Sequence, residues 1–412
     1  MCVKRFTLSA ILIILAGAII LSIAGGSASA SIPAYVSTID GHMYIIDTDS
    51  GNVIGALNRS TPMVGYISAS VDGHYVFTGG INVLDVIDTA NFSIVDTIPY
   101  DNATFVTDLA AGPDGRLYIA DFRRACIAIF DAASGAQLGK MQLGTPFNDY
   151  ISTGDVPVAL AISPDGNVLY VATGYNNWDA AMNDHYNVTA YDTKTGKAIS
   201  NVRIGMMLYH MKLSPDGSSL YVNANNVDGS DNCIIPITTR DMSAHTPISL
   251  PAHPWSLALS PDGHRLYTAN SVDKSVDVID LGAGAVLKTI RMPNFAPSCS
   301  VTSDGRKLLV ACGNSGLIAV DTDTYEVSTL NQAILSGPAL NDTIANAIIV
   351  FGRVIVPMAM NSQATTSPVP AAITATPAAA AGTPSPAPAG LLNAPMVIAG
   401  LIIAIALLRR KP

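Results

Sequence analysis

The chain has 412 residues, of which 49% are hydrophobic and 13% charged, and its mean hydropathy is +0.36. So much apolar material with so few charges points to membrane-directed segments as well as a core. Of the 31 acidic residues only Glu326 is Glu, which argues against a mostly helical fold because Glu favours helices while Asp favours turns and caps; the net charge of -9 argues against a nucleic-acid binder, and five cysteines are too few for a disulfide scaffold.

From the N-terminus, Lys4 and Arg5 precede an uncharged run from Phe6 to Ala24, followed by Ala28-Ser29-Ala30. A basic start, an apolar stretch and an A-x-A site predict a secretory signal over residues 1–30, with an uncleaved anchor as the competing reading of so long a run. Next come Tyr44-Ile45-Ile46-Asp47 and Val53-Ile54-Gly55, which read as outer strands with no hairpin before them.

A repeat then begins. Ser-Pro-Asp-Gly occurs at Ser163, Ser214 and Ser260, with variants around Asp72, Asp114 and Asp304, so the turn Asp residues are spaced by 42, 51, 51, 46 and 42. Short apolar strands flank each turn, as in Leu160-Ala161-Ile162 and Leu169-Tyr170-Val171. Pro presets φ and Gly takes φ > 0, so each repeat opens with a hairpin. A second landmark is a strand ending in Asp, such as Val86-Ile87-Asp88, Ile129-Phe130-Asp131 and Val278-Ile279-Asp280, followed by a turn and another strand. Four-stranded units of this length are propeller blades. Ala347 to Val350 and Val354 to Val356 around Gly352 read as a seventh hairpin, completed by the N-terminal outer strands. The expectation is an all-β, seven-bladed β-propeller over residues 31–361, or eight blades if Tyr35 to Thr38 belongs to a separate unit.

Residues 362–390, rich in Pro, Thr and Ala without a charge, predict an extended stalk. In polyproline II it would reach roughly 90 Å. Leu391 to Leu408 is apolar apart from Asn393 and Pro395 and ends at Arg409-Arg410-Lys411-Pro412. At ~1.5 Å per residue it spans roughly 27 Å, so residues 391–412 read as a transmembrane anchor with a basic cytoplasmic end. Five of the 22 basic residues lie in the two ends, leaving 17 against 31 acids in the middle.

The Tyr-Val-Ala after Ser-Pro-Asp-Gly, followed by Val-x-Val-Ile-Asp, resembles the YVTN-type, WD40-like β-propeller repeat of archaeal surface-layer-type proteins, over roughly Ala34 to Met360. The whole layout is similar to archaeal surface proteins whose tails are cut and lipid-anchored. Those tails usually carry Pro-Gly-Phe where this chain has Pro388-Ala389-Gly390-Leu391-Leu392, so a retained anchor stands beside processing. The resemblance implies a membrane-anchored, extracellular propeller at the cell surface. It specifies fold better than activity.

Candidate sites were sought in two places. Six residues before each turn Asp, where an inner strand would line the channel, the chain has Tyr66, Asp108, Ala159, His210, Ser256, Ser298 and, by extension, Ala345. Asp108 and His210 would act as a hydrolytic pair only if they faced each other. Two insertions break the repeat: residues 174–187, with Tyr175, Trp178, Asp179, His185 and Tyr186, and residues 223–232, with Asp228 and Asp231. Aromatics among Asp and Asn on a rigid ring suit glycans or proteins.

Asp47-Thr48-Asp49 and Asp321-Thr322-Asp323 resemble the start of a calcium loop but lack its closing acid, so they read as turns and no metal site is expected. Cys299 and Cys312 flank one hairpin nearly symmetrically and are the candidate disulfide. Sequons at Asn58, Asn91, Asn102, Asn187 and Asn341 are the candidate sites of a glycoprotein. These readings favour a non-enzymatic structural or binding component of the envelope, for adhesion or scaffolding. Its expected partners are envelope proteins or glycans and the membrane, without nucleic acid and without a cofactor. The alternative is an extracytoplasmic enzyme, a lactonase-like hydrolase or a redox propeller, using the central channel.

Overall fold

The computed structural model describes residues 32–37, 42–58, 67–79, 83–99, 106–144, 155–174, 186–226, 230–331 and 353–355. The signal, stalk and anchor segments lie outside them. Among the described residues no helix is long and apolar enough to cross a membrane.

The chain opens with β1 (Pro33–Ser37), β2 (His42–Asp47) and β3 (Val53–Asn58). Blade 1 follows as β4 (Ile67–Ala69), β5 (Tyr75–Gly79), β6 (Val83–Asp88) and β7 (Ser93–Pro99), and blade 2 as β8 (Val106–Ala111), β9 (Arg116–Asp121), β10 (Cys126–Asp131) and β11 (Gln137–Gln142). Blade 3 comprises β12 (Val156–Ile162), β13 (Val168–Gly174), β14 (Asn187–Asp192) and β15 (Ala198–Arg203). Blade 4 has β16 (Met207–Leu213), β17 (Ser219–Asn225), β18 (Cys233–Thr238) and an outer strand in two pieces, β19 (Ser243–Ala244) and β20 (Ile248–Ser249). Blade 5 is β21 (Ser256–Leu259), β22 (Arg265–Asn270), β23 (Ser275–Asp280) and β24 (Ala285–Arg291); blade 6 is β25 (Ser298–Val301), β26 (Lys307–Ala311), β27 (Leu317–Asp321) and β28 (Val327–Asn331).

The seventh blade joins the two ends of the chain. Its innermost strand is β29 (Arg353–Ile355), paired antiparallel to β1, and the sheet runs β29-β1-β2-β3. This adjusts the expected assignment: the N-terminal segment supplies three strands, and among the described residues the C-terminal segment supplies β29, while 347–350, expected as the other strand of a hairpin, lie outside the described residues. Tyr35 to Ser37 belongs to this blade, so no eighth unit is needed. The inner strands touch in unbroken succession, β4, β8, β12, β16, β21, β25, β29 and back to β4, which closes the ring and leaves no open end to the array.

The core is divided among the junctions between blades. Seven buried apolar clusters occur, one at each of the seven junctions. Alternate residues of one strand serve the two flanking junctions. In β9, Leu117 and Ile119 pack toward blade 1, while Tyr118 and Ala120 pack toward blade 3. Both faces of such a strand are covered, which is why these strands read as continuous apolar runs without polar alternation.

The repeat motif builds each hairpin and also joins it to its neighbour. In the third blade the Ser163 hydroxyl donates to Asp165 Oδ1 at 2.6 Å and accepts from Val168 N at 2.9 Å, while Asn167 N donates to the same carboxylate oxygen at 3.0 Å. Ser70, Ser214, Ser260 and Thr302 repeat the first of these bonds. A Cβ on Gly166 would lie 2.9 Å from Pro113, and one on Gly217 would lie 2.8 Å from Pro164. These turn glycines therefore rest on the turn proline of the preceding blade, and Gly263 on Pro215 and Gly305 on Pro261 continue the series, while Gly115, which follows a blade whose turn has no proline, has nothing within 4 Å. Long basic side chains at the start of the second strand reach the next blade: Arg116 to Thr193 O, Arg265 to Thr322 O and, across the chain ends, Lys307 to Thr48 O at 2.7 Å.

These turn carboxylates set an acid limit. Asp165 and Asp216 are held at about 2, chiefly by the hydroxyls of Ser163 and Ser214. A carboxyl whose folded pKa lies below its unfolded value of about 3.9 contributes its full stability above that value and loses it as the pH falls through the folded pKa. The melting temperature is expected to be insensitive to these groups between pH 7 and 5 and to fall from about pH 4 toward pH 2. Asp165→Asn/Asp216→Asn should flatten that fall; an unchanged slope in melting curves would refute the assignment.

Blade 4 departs from the pattern for a local reason. Pro236 in β18 has no N–H for an outer partner, and the outer strand splits around it into β19 and β20. The His245 N–H donates to Pro236 O at 2.9 Å where the ladder is interrupted.

On the rim, the position seven residues after each third-strand Asp is apolar and exposed on five blades: Ile54 42%, Val95 50%, Leu138 54%, Ile199 58% and Leu287 52%. All five lie on terminal strands of their sheets, and a bulge between the third and fourth strands twists each of those edges away from further pairing.

Candidate functional site

Strand direction gives the disc two different faces. Inner strands run toward the Pro-Asp-Gly turns and second strands run away from them, so the first-to-second and third-to-fourth turns share one face. The second-to-third loops and the linkers between blades share the other, here called the loop face. Both sequence insertions belong to the loop face. Tyr175, Trp178, Asp179, His185 and Asp228 lie outside the described residues, as do Tyr66 and Ala345.

Of the described channel candidates, Asp108 and Ser256 form blade-to-blade contacts. Asp108 is half-buried, its Oδ1 accepts from Leu109 N at 2.9 Å, and its Oδ2 accepts from Leu160 N of blade 3 at 2.8 Å. Thr107 on the same strand donates to Pro157 O at 2.8 Å. Ser256 is buried and accepts from Cys299 N of blade 6 at 3.4 Å, and Ser298 is buried as well. Asp108 and His210 stand on blades 2 and 4 with blade 3 between them, and both Asp108 oxygens already hold backbone N–H groups. The register shifts that displace Asp108 and His210 are bulges, between Val106 and Asp108 and between Leu208 and Met211.

Two insertion candidates behave differently from each other. Tyr186 is 5% exposed and sits in the core between blades 3 and 4, with its ring over Gly174, where a Cβ would stand 3.1 Å from it. It is a core residue, which corrects its assignment to a binding loop. Asp231 is exposed at φ 52, and its Oδ2 accepts from Asn226 Nδ2 at 2.6 Å, holding the end of that loop.

The same loop edges a cluster that the sequence pattern did not single out. At the junction of blades 4 and 5, the rings of Tyr209 and His253 meet edge to face at 5.3 Å, and His253 and Trp255 are tilted at 6.1 Å. All three residues are partly buried. Backbone placement is rigid: Asn223, fully buried, accepts from His210 N at 2.5 Å and donates to Pro254 O at 2.9 Å, while His253 N donates to Asp273 Oδ2 at 3.3 Å. The Leu250 N–H donates to Asn232 O at 2.8 Å, tying the linker to the neighbouring loop. Burial pushes the Tyr209 phenol up to about 12, with the adjacent Asn225 amide opposing it. Burial also lowers the His253 pKa, so its ring is neutral at pH 7. Among the described residues, Asn225 Oδ1, Asn232 Oδ1 and His253 Nδ1 are buried with no hydrogen-bond partner.

Two further kinds of carboxylate are held by local hydrogen bonds. Asp277, raised in pKa by burial, accepts from Thr289 Oγ1 at 2.5 Å and from Asn270 Nδ2 at 2.8 Å. Asp47 and Asp321 bind the backbone N–H groups two and three residues on, as Asx turns do, which accounts for the recurring strand-end Asp. Among the described residues no group of three or more His, Cys, Asp or Glu side chains is placed to hold a metal ion.

Cys126, Cys233, Cys299 and Cys312 are free and buried. The candidate Cys299–Cys312 disulfide is not formed. Register gives the reason: Cys299 stands opposite Val310, leaving Cys312 two residues further on, just past the end of β26. Burial pushes both thiols up to about 12, and Cys126 and Cys233 to about 11. These four are expected to resist a thiol reagent at pH 8 until the protein unfolds. Labelling of the native protein at any of them would contradict their burial.

Of the sequons, Asn58 ends β3 exposed, and Asn91 is exposed in a turn, its Oδ1 accepting from Ser93 Oγ at 2.5 Å. Asn187 is half-buried at the start of β14, paired between Thr173 and Arg203, a placement less open to modification. Asn102 and Asn341 lie outside the described residues.

No family model matches the chain, and no curated protein matches it. Among solved structures the propeller is similar to a chain of Kuenenia stuttgartiensis Hydrazine Synthase, with a TM-score of 0.57 and 16% identity over 69% of this chain and 90% of that one. At that identity the likeness concerns the fold alone.

Proposed function

We propose that the protein is a structural or binding component of the cell envelope: an exported propeller, anchored by residues 391–412 on a stalk of residues 362–390, that presents its loop face to envelope proteins or glycans. One observation carries the binding role. The cluster of Tyr209, His253 and Trp255, with unsatisfied amide and imidazole atoms beside it, opens on the face where the insertions and linkers gather. Buried acceptors left without partners are costly, and a ligand that completes them recovers that cost. Partly buried aromatics provide contact area at low entropic cost.

The reading is non-enzymatic. Asp108 on its inner strand and the buried Asp85, Asp121 and Asp277, the carboxylates that would be called on for acid/base work, already hold hydrogen-bond donors. Exposed sequons at Asn58, which ends β3, and at Asn91 in a turn are compatible with a glycosylated exterior. The test is retention of the full-length protein on isolated envelope material. The wild type should be retained and Trp255→Ala released; equal retention of both would remove the loop face from the account.

A further inference from the structure

The aromatic and amide cluster at the junction of blades 4 and 5 has a chemistry that selects among ligands. Its flat elements are the rings of the partly buried Tyr209, His253 and Trp255. Its polar elements are Oδ1 of Asn225, which is 2% exposed, Oδ1 of Asn232 and Nδ1 of His253, each buried without a partner among the described residues. None of these five side chains offers a fixed positive charge, since burial keeps His253 neutral at pH 7. An anionic ligand would thus lose its hydration without gaining a counter-charge from them.

A cation is equally poorly served. Asp273 Oδ2 accepts from His253 N, and Asp231 Oδ2 accepts from Asn226 Nδ2, so the nearby carboxylates are already held in hydrogen bonds. Lys274, on the adjacent loop, stands 5.1 Å over the Phe295 ring and is engaged there. What remains is a set of acceptors at fixed positions beside aromatic faces. That set matches a ligand with an apolar ring face and several hydroxyl donors around its edge, because each hydroxyl both donates and accepts.

We infer that this cluster is a binding site for a neutral saccharide unit, stacked on Trp255 and hydrogen-bonded through its hydroxyls to Asn225, Asn232 and His253. This rests on the binding role proposed above and narrows it to one ligand class. The site is preorganised: the bulge that carries Tyr209 and His210 is tied through Asn223 to Pro254, which precedes Trp255 in the linker, so blades 4 and 5 present the rings as one rigid surface.

The test uses the full-length protein carrying Trp178→Phe, so that tryptophan fluorescence reports Trp255 alone, titrated with methyl α-mannoside, methyl β-galactoside and N-acetylglucosamine. Choline chloride and inorganic phosphate serve as the charged probes. The expected result is saturable quenching or a blue shift with at least one saccharide and none with choline or phosphate. Calorimetry should then show affinity reduced about 30-fold in Trp255→Ala and in Asn225→Ala, the loss typical of an interfacial anchor. Trp255→Phe keeps a ring for stacking and should retain most of the binding; it also separates loss of the site from loss of the fold. Binding of a charged probe alone, no response to any saccharide, or saccharide binding unaffected by Trp255→Ala would overturn the inference. If saccharide binding fails while the wild type is still retained on envelope material and Trp255→Ala is not, the ligand class is wrong and the binding role survives.

Discussion

Leu309→Ala should lower the stability of the propeller by about 2–5 kcal/mol, the usual cost of emptying a fully buried leucine site. Leu309 is 0% exposed and packs with Leu317 and Ala319 of blade 6 against Ala34, Val36 and Ile46 of blade 7. That junction joins the two ends of the chain. It is also held by Lys307, which donates to Thr48 O at 2.7 Å and pairs with Asp49 at 2.9 Å, and by Asn331, which donates to Gly51 O at 2.8 Å. Loosening it removes cohesion from the ring as well as from one sheet. The control is Leu287→Ala on the rim, where the side chain is 52% exposed and the change should stay within about 0.5 kcal/mol. Denaturant titration followed by circular dichroism measures both. Similar losses for the two variants would contradict a core organised at blade junctions.

The second large effect is expected at the repeat turn. Gly217 adopts φ +74, and a Cβ there would stand 2.8 Å from Pro164 of the preceding blade. Gly217→Ala therefore combines left-handed backbone strain with a clash against a ring that cannot swing aside, a cost of about 2–5 kcal/mol. Gly284 has a comparable φ of +62 with nothing within 4 Å. Gly284→Ala should show the backbone cost alone, about 1–2 kcal/mol. The ordering of these two variants in thermal unfolding decides whether the turns act between blades or only within them. Equal losses would restrict the motif to local turn chemistry.

Much of this architecture was legible because the repeat carries its own reasons. Pro-Asp-Gly fixes a turn in any context, and the strand-end Asp closes an Asx turn, so hairpins and blade number follow from their spacing. Which residue meets which across blades did not follow. The stacking of Gly217 on Pro164 and the reach of Lys307 to Thr48 join positions with no sequence signal between them. The closing blade was hardest, since its inner strand β29 lies beyond the repeat and lacks Ser-Pro-Asp-Gly.

The candidate site was less legible than the fold. Comparing one aligned position per blade selected Asp108 and Ser256, which the structure uses to tie inner strands together. Bulges in β8 and β16 shift the register that such a comparison assumes. Trp255 stands immediately before the aligned Ser256, in a linker that the repeat does not constrain. A signal was present: it is one of two tryptophans in the chain, set in Pro251-Ala252-His253-Pro254-Trp255. Tyr186 was misread because an insertion looks polar as a whole, while this residue directly precedes β14 and fills the space that Gly174 leaves open.

The central claim, that this propeller acts outside the cell as part of its envelope, is tested most directly by protease shaving of intact cells. Peptides from residues 31–361 should be released without lysis, with release from the exposed turn around Asn91 before the buried inner strands. Recovery of those peptides only after the cells are broken would contradict the account.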